Sequence, residues 1–395
     1  MSFFSSIGLS YEALPKPTVS APGGNILSTW STIYGSFAVI SGTSMAAPFL
    51  AGVAALVQQA RGKETSVSVL RHLFATTANP MPFNDGRGKD YPFFATTFQQ
   101  GGGLVDAYKA AHTTTLLSAD IIAFNDTEFL KSSAYFTITN TGTSSVTYTL
   151  SNIGAGTLYT TNSTSTFPAL FPPGNLPEVI AKYAKLSIAP STVTIPANSS
   201  AAIEVIPTIP EGLDTKQIPL YSGFIAINST DGLQSLTLPY AGIASSLRSA
   251  TVLDTSLGYP YLTSRLSNTT ANITSPSSPP VFIVPRSNST NTSMIDFPMA
   301  IWQLSLGSPW IDIDIISAAD GLKKGLVSEL TPYYRRGEDI SYYFTGQFSD
   351  YTWSEEGEFK FRVSALRIFG NRSVSKDYVG ETGSFVLKYG NYTVP

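Results

Sequence analysis

The spacing of apolar and polar positions changes once along the chain, near Thr113-Thr114-Thr115. Before that point, short apolar runs and helical spacings alternate with Gly/Pro-rich turns. Pro48 to Ala60, rich in Ala, Val and Leu behind a proline, predicts a helix, and Val67 to Thr76 predicts a second with Val67, Leu70, Leu73 and Phe74 on one face. Leu104 to Ala111 predicts a third, shorter helix. Beyond about residue 118 the period is two: Phe136 and Ile138 alternate with Thr137 and Thr139, and Val146, Tyr148 and Leu150 with Thr147 and Thr149. Asn140-Thr141-Gly142 between those runs reads as a hairpin turn. Further strands fall at 193–195, 203–205, 224–227 and 236–240, the spacing of an antiparallel sandwich that closes near Ser245. Residues 311–315, 340–344 and 359–363 alternate again and predict a second sandwich to the end of the chain, with Asp312 and Asp314 on the exposed face of their strand. Between the sandwiches, 266–293 is dense in Ser, Thr, Asn and Pro and reads as a loop beside one strand, Val281 to Val284.

Composition narrows the classes. Charged residues are 13% of the chain and the formal net charge is −3, so the attraction that nucleic acid or an anionic membrane requires is missing, and neither is an expected partner. There is no cysteine, which removes disulfides, thiolate chemistry and Cys-ligated metal; no metal or cofactor is expected. Asp85 and Asp90 are interleaved with Arg87 and Lys89, as in a solvated loop. Ten asparagines begin an Asn-x-Ser/Thr triplet: Asn125, Asn162, Asn198, Asn228, Asn268, Asn272, Asn288, Asn291, Asn371 and Asn391. Their restriction to the β-rich part predicts glycosylation and a secreted or cell-wall-associated protein, whose sandwiches would meet cell wall or other extracellular material. No apolar run is long enough to span a membrane, and Met1 to Tyr11 carries no signal-peptide pattern.

Chemistry concentrates in Ser41-Gly42-Thr43-Ser44-Met45-Ala46-Ala47-Pro48. This segment leads from the strand-like run 37–40 into the first helix, so Ser44 lies at a helix N-terminus whose unspent N–H groups face any oxyanion formed there. Gly-Thr-Ser-Met-Ala-x-Pro resembles the nucleophile signature of the subtilisin-like serine proteases, the subtilases. The flanks 16–29 and 100–107 are similar to that domain as well. Tyr221-Ser222-Gly223-Phe224, Leu238 to Gly242 and Ala365 to Gly370 resemble the fibronectin-III-like domains of large secreted subtilases of the fungal and C5a-peptidase type. The resemblance implies a multidomain protein: the C-terminal part of an α/β subtilase catalytic domain over 1–113, one fibronectin-III-like sandwich over 118–245 and a second over 246–395. It also implies Ser44 as nucleophile of a serine endopeptidase acting on protein or peptide substrates, with Gly42, Thr43 and Met45 forming the nucleophile loop and oxyanion surroundings.

A serine needs a general base, ordinarily a histidine held by a carboxylate. The 43 residues before Ser44 contain neither Asp nor His, and the two histidines, His72 and His112, both follow it. Asn25 lies too close in sequence to serve as the family's distant oxyanion asparagine. The expectation is a truncated catalytic domain, inactive by itself; the competing reading is a non-catalytic extracellular binding or adhesion protein built on the sandwiches.

Overall fold

The computed structural model describes residues 1–395 except 3, 11–13, 86–87, 163–164, 169–177, 254–257, 267–277, 287–294, 331–338, 375–380 and 391–395, with backbone alone at 162 and 165–168. Two compact units are present: Met1–Thr161 with Phe171–Ser246, and Asn162–Leu170 with Leu247–Pro395.

The first unit begins with an antiparallel hairpin, β1 (Ile26–Thr29) and β2 (Phe37–Ile40), in which Leu27 faces Val39 and Thr29 faces Phe37. Helix α1 (Thr43–Arg61) follows directly and α2 (Val67–Thr76) after a short turn, its N-terminus capped by the Ser66 hydroxyl, which accepts from Val69 N–H at 3.3 Å. The sequence placed the first helix at Pro48; it begins five residues earlier, because Pro48 removes only one backbone donor and the Gly42 turn lets the helix start upstream. Strands β3 (Pro82–Asn84) and β4 (Asp90–Phe94), a short helix α3 (Thr97–Gln100) and α4 (Ala107–His112) complete the helical part. Val53 and Val57 of α1 form a small core with Leu70, Leu73 and Phe74 of α2 and Ala110 of α4. Arg61, the last residue of α1, closes α4: its guanidinium donates to the carbonyls of Ala110, Ala111 and Thr113 at 3.4, 3.2 and 2.8 Å.

Gly101, Gly102 and Gly103 show why three glycines stand in a row. A Cβ on Gly102 would sit 1.9 Å from the Ala75 carbonyl oxygen, one on Gly101 2.3 Å from Thr18 O and one on Gly103 2.2 Å from Asn79 O. Only bare backbone fits where three chain segments meet, and Gly102 N–H donates to Thr18 O at 3.0 Å across that junction.

The sandwich of this unit uses β5 (Thr115–Leu117), β6 (Ile122–Ala123), β7 (Ala134–Asn140), β8 (Val146–Tyr159), β9 (Lys185–Ala189), β10 (Thr192–Ile195), β11 (Ser199–Thr208), β12 (Pro219–Ser229) and β13 (Ser235–Ile243). One sheet has the order β9-β11-β7-β5; the other runs β3-β4-β8-β12-β13-β6, with β10 also paired to β8. The period-two positions enclose the core: Phe136, Ile138, Tyr148, Ile203, Val205, Ile225, Ile227, Leu238 and Tyr240 are all buried. Each such side chain contributes roughly 1.5–3 kcal/mol. β12 departs from alternation and is buried at all but one position. Helix α3 covers its second face, with Thr96 and Ser222 hydroxyls 2.9 Å apart and Thr97 N–H donating to Ser222 Oγ at 3.1 Å. The shift in sequence period at Thr113 thus falls inside one packed unit.

The second unit contains β14 (Tyr261–Ser264), β15 (Val281–Val284), β16 (Pro298–Trp302), β17 (Ile311–Ser317), β18 (Lys323–Leu330), β19 (Ile340–Tyr343), β20 (Gly357–Ala365) and β21 (Glu381–Tyr389). They form sheets of order β14-β16-β19 and β15-β21-β20-β17-β18. Ile311, Ile313 and Ile315 point into the core, as their alternation predicts. The expectation that Asp312 and Asp314 are exposed is corrected: the Asp314 side chain is 9% exposed and that of Asp312 16%. Neighbours cover them. Lys323 Nζ lies 2.7 Å from Asp314, and Asp312 accepts from Trp310 Nε1 at 2.8 Å and from Arg372 at 3.2 Å. Burial outweighs the nearby lysine and holds the Asp314 carboxyl above its ordinary range.

Candidate active site

Ser44 occupies the second position of α1 and is exposed. The turn that presents it is fixed by backbone. Gly42 N–H donates to Gly23 O at 2.8 Å, and a Cβ on Gly23 would lie 2.7 Å from the Gly42 carbonyl oxygen. Asn25, with φ of 53°, donates its N–H to Ser41 Oγ at 2.8 Å, and that hydroxyl donates to Asn25 Oδ1 at 3.3 Å. Gly23, Asn25 and Ser41 therefore fix the turn that presents Ser44. The sequence carried a faint signal for them, the Pro22-Gly23-Gly24-Asn25 turn, without showing what that turn grips.

Thr43 and Met45 flank the serine. Met45 N–H donates to Gly42 O at 3.0 Å, and its thioether sulfur lies 3.4 Å from where a Gly42 Cβ would stand, so that side chain closes over the turn. The N–H groups of Thr43 and Ser44 have no acceptor among the described residues. Two unspent donors beside an exposed hydroxyl suit a developing oxyanion. Pro48 adds a further consequence, since it offers no N–H to the carbonyl of Ser44 four residues earlier and leaves that oxygen outside the helical ladder.

Among the described residues Ser44 Oγ has no hydrogen-bond partner. His112 lies against Tyr108 with ring centroids 4.5 Å apart and the rings tilted by 47°, on the helix whose end Arg61 closes. Arg61 is seventeen residues beyond Ser44 on α1, about 25 Å at 1.5 Å per residue. His72 lies on α2, which meets α1 at Val53 and Val57, the nearer of them about 14 Å along the axis from Ser44. The neighbour of His72, Arg71, is paired with Asp120 at 2.7 Å, so no carboxylate is recruited to the imidazole from there.

The remaining candidates scatter. Asp90 accepts from Asn84 Nδ2 at 2.8 Å and Asp85 from Lys89 N–H at 3.3 Å, each within its own loop. No cluster of three metal-ligating side chains occurs among the described residues. Of the Asn-x-Ser/Thr asparagines, Asn198, Asn228 and Asn371 are exposed and Asn125 is half-buried. The Asn162 side chain and Asn268, Asn272, Asn288, Asn291 and Asn391 lie outside the described residues. Among the described residues no helix is long and apolar enough to cross a membrane.

Comparison with known proteins places these features. Residues 1–105 match the subtilase family and residues 122–241 an Fn3-like domain. The PI-type proteinase of Lactococcus lactis subsp. cremoris is 29% identical over 285 residues, covering 66% of this chain and 14% of its own length. Subtilisin-like protease SBT4.7 of Arabidopsis thaliana is 40% identical over 139 residues, 31% of this chain and 19% of its own length. The C5a peptidase of Streptococcus pyogenes is 32% identical over 121 residues, 29% of this chain and 10% of its own length. The chain thus spans less than a fifth of each of these relatives. With Ser44 and its turn inside the first match and the sandwich inside the second, residues 1–105 are similar to the subtilase family and residues 122–241 to an Fn3-like domain.

Proposed function

We propose that Ser44 is the nucleophile of an extracellular serine endopeptidase and that these 395 residues by themselves do not turn over. In this reading Ser44 Oγ attacks the scissile carbonyl of a protein or peptide, its proton passing to an imidazole. The carbonyl oxygen becomes an oxyanion facing the Thr43 and Ser44 N–H groups. The C–N bond then breaks as the amine takes up that proton, and water hydrolyses the acyl-enzyme. The imidazole and its carboxylate belong to a further polypeptide segment that also covers α1. We propose likewise that residues 1–113, 118–245 and 246–395 are the functional divisions of the chain.

The observation that carries this reading is the contrast along α1. From Thr43 to Gln59 the helix has no charged residue, yet Val53 and Val57 are its only buried side chains. A helix apolar all round is ordinarily covered on every side. Ser44 stands at the start of this largely exposed stretch, with two free N–H donors beside it and, among the described residues, no base. The competing reading, a free-standing binding module, is weakened by the same feature, since Leu27 and Phe37 on the adjoining hairpin are 69% and 66% exposed.

Labelling of the purified chain with a fluorophosphonate tests the proposal. Because the triad acts as a unit, an unassisted serine retains a negligible share of the rate, and the expected result is no label at Ser44. Strong labelling that Ser44→Ala abolishes would overturn the incomplete-site argument, and His72→Ala would then show whether a base had been overlooked.

A further inference from the structure

Three of the Asn-x-Ser/Thr asparagines within 118–245 have described side chains, and their surroundings differ in a way the motif does not reveal. Asn198 sits at the turn between β10 and β11, exposed, with φ of 53°, a left-handed conformation that asparagine tolerates. Its side-chain amide has no partner among the described residues. Asn228, near the end of β12, is also exposed; its Oδ1 accepts from Ser235 Oγ at 2.8 Å, which orients the amide and leaves Nδ2 without an acceptor among the described residues. Asn125 is half-buried between Phe124 and Asp126, both fully buried. Its Nδ2 donates to Phe129 O at 3.3 Å, its carbonyl accepts from Ile243 N–H at 2.9 Å, and φ is 62°.

The two accessible asparagines share one end of the sandwich. Asn140 Nδ2 donates to Ile195 O at 3.0 Å and Pro196 O at 3.2 Å, holding the turn that bears Asn198 against the β7–β8 turn. Thr230 N–H donates to Thr147 O at 2.9 Å, bringing the β12–β13 turn to the same place. Asn125 belongs to the other end, where β13 finishes.

We propose that Asn198 and Asn228 carry N-linked oligosaccharides at one pole of this sandwich and that Asn125 in the folded protein does not. In the transfer, Nδ2 forms a bond to the anomeric carbon of a polyprenyl-pyrophosphate-linked oligosaccharide while the carbon–oxygen bond to the pyrophosphate breaks. The displaced Nδ2 proton goes to the transferase base, and the pyrophosphate departs with the bonding pair. At Asn198 and Asn228 the sugar extends into solvent. At Asn125 it would have to displace the turn that ends at Phe129. The inference is independent of whether Ser44 is activated.

The test is secretion of the full chain from a eukaryotic host behind a heterologous leader, followed by glycosidase release in heavy-oxygen water and peptide mapping. Heavy aspartate is expected at positions 198 and 228 and unmodified asparagine at 125. Ser200→Ala and Thr230→Ala, which keep both asparagines, should each remove one glycan from the intact mass. Unmodified Asn198 and Asn228 would overturn the proposal, as would an occupied Asn125 in monodisperse secreted material. If the chain is retained in the cell, the same mapping of its glycosidase-sensitive intracellular pool reads positions 198 and 228, and their lack of modification there overturns it equally.

Discussion

Replacing Leu27, Phe37 and Val39 together by threonine should convert a self-associating chain into one that stays dispersed. These three side chains are 69%, 66% and 61% exposed and lie on one face of the β1–β2 hairpin, Leu27 directly opposite Val39. Together they offer roughly 350 Å² of apolar surface, the size at which an exposed patch becomes an association site. Two copies meeting face to face would remove about 700 Å² from water, about 17 kcal/mol at 25 cal/mol per Å². Lost translational and rotational freedom opposes this by about 4–15 kcal/mol. The hairpin adds two open strand edges that pair readily with another chain. Ile33 and Tyr34 in the connecting loop, 85% and 75% exposed, enlarge the patch further. Sedimentation velocity across a concentration series measures the outcome. The parent chain should shift to larger species as concentration rises, and the triple threonine variant should shift much less. A monomeric parent chain over the whole range would refute the reasoning and restore the free-standing binding module as the better reading.

Two further outcomes follow from named contacts. Gly102→Ala puts a methyl 1.9 Å from the Ala75 carbonyl, which only a backbone shift relieves; protection of the Ser20, Asn79 and Leu104 amides against hydrogen exchange should fall sharply, and unchanged protection would disprove the close approach. Asp314, held above its ordinary range chiefly by burial, binds a proton more readily folded than unfolded, so stability falls as pH rises from the ordinary carboxyl range through the raised folded value. Asp314→Asn should remove that slope. The ratio of parent to variant exchange rates at Ile311–Ser317 reads it, rising with pH through that window, and a ratio flat with pH would show the carboxyl to be unperturbed.

Sequence and structure agree most closely where periodicity alone decides. Phe136 and Ile138, Ile203 and Val205, and Ile311 to Ile315 alternate because a sheet with one covered face leaves no other choice. The pattern is less informative where a second layer arrives from a distance, as at β12, whose continuous burial depends on α3 more than a hundred residues earlier. Asp314 was misplaced for a related reason: alternation specifies the face of a strand, whereas Lys323 and the neighbouring strand set how wet that face is. The candidate site divides the same way. Ser44 at a helix start is legible because the Gly-Thr-Ser-Met-Ala-x-Pro run is local, but the grip of Gly23 and Asn25 on Gly42 and Ser41 joins residues some twenty positions apart and has no periodic signature.

The two halves of helix α1 differ in how they are covered. Its C-terminal half is anchored: Val53 and Val57 are buried against α2 and α4, and Arg61 binds three carbonyls at the end of α4. These contacts tie the helix to the sandwich through the same unit that holds Thr97 against Ser222. The N-terminal half is held by the Gly23 and Asn25 contacts at its turn and by Leu50 against the edge of the same core, and Phe49 remains 48% exposed. Folding of the unit depends on the end that is covered, whereas Ser44 sits at the end that is more exposed. A substitution at Val57 or Arg61 is therefore expected to act on stability without approaching Ser44, whereas one at Gly23 or Ser41 is expected to move Ser44 while leaving the helical core intact. In the reading proposed above, the polypeptide that brings a base to Ser44 also covers this half of the helix, because the hydroxyl and the exposed apolar stripe belong to the same stretch of chain.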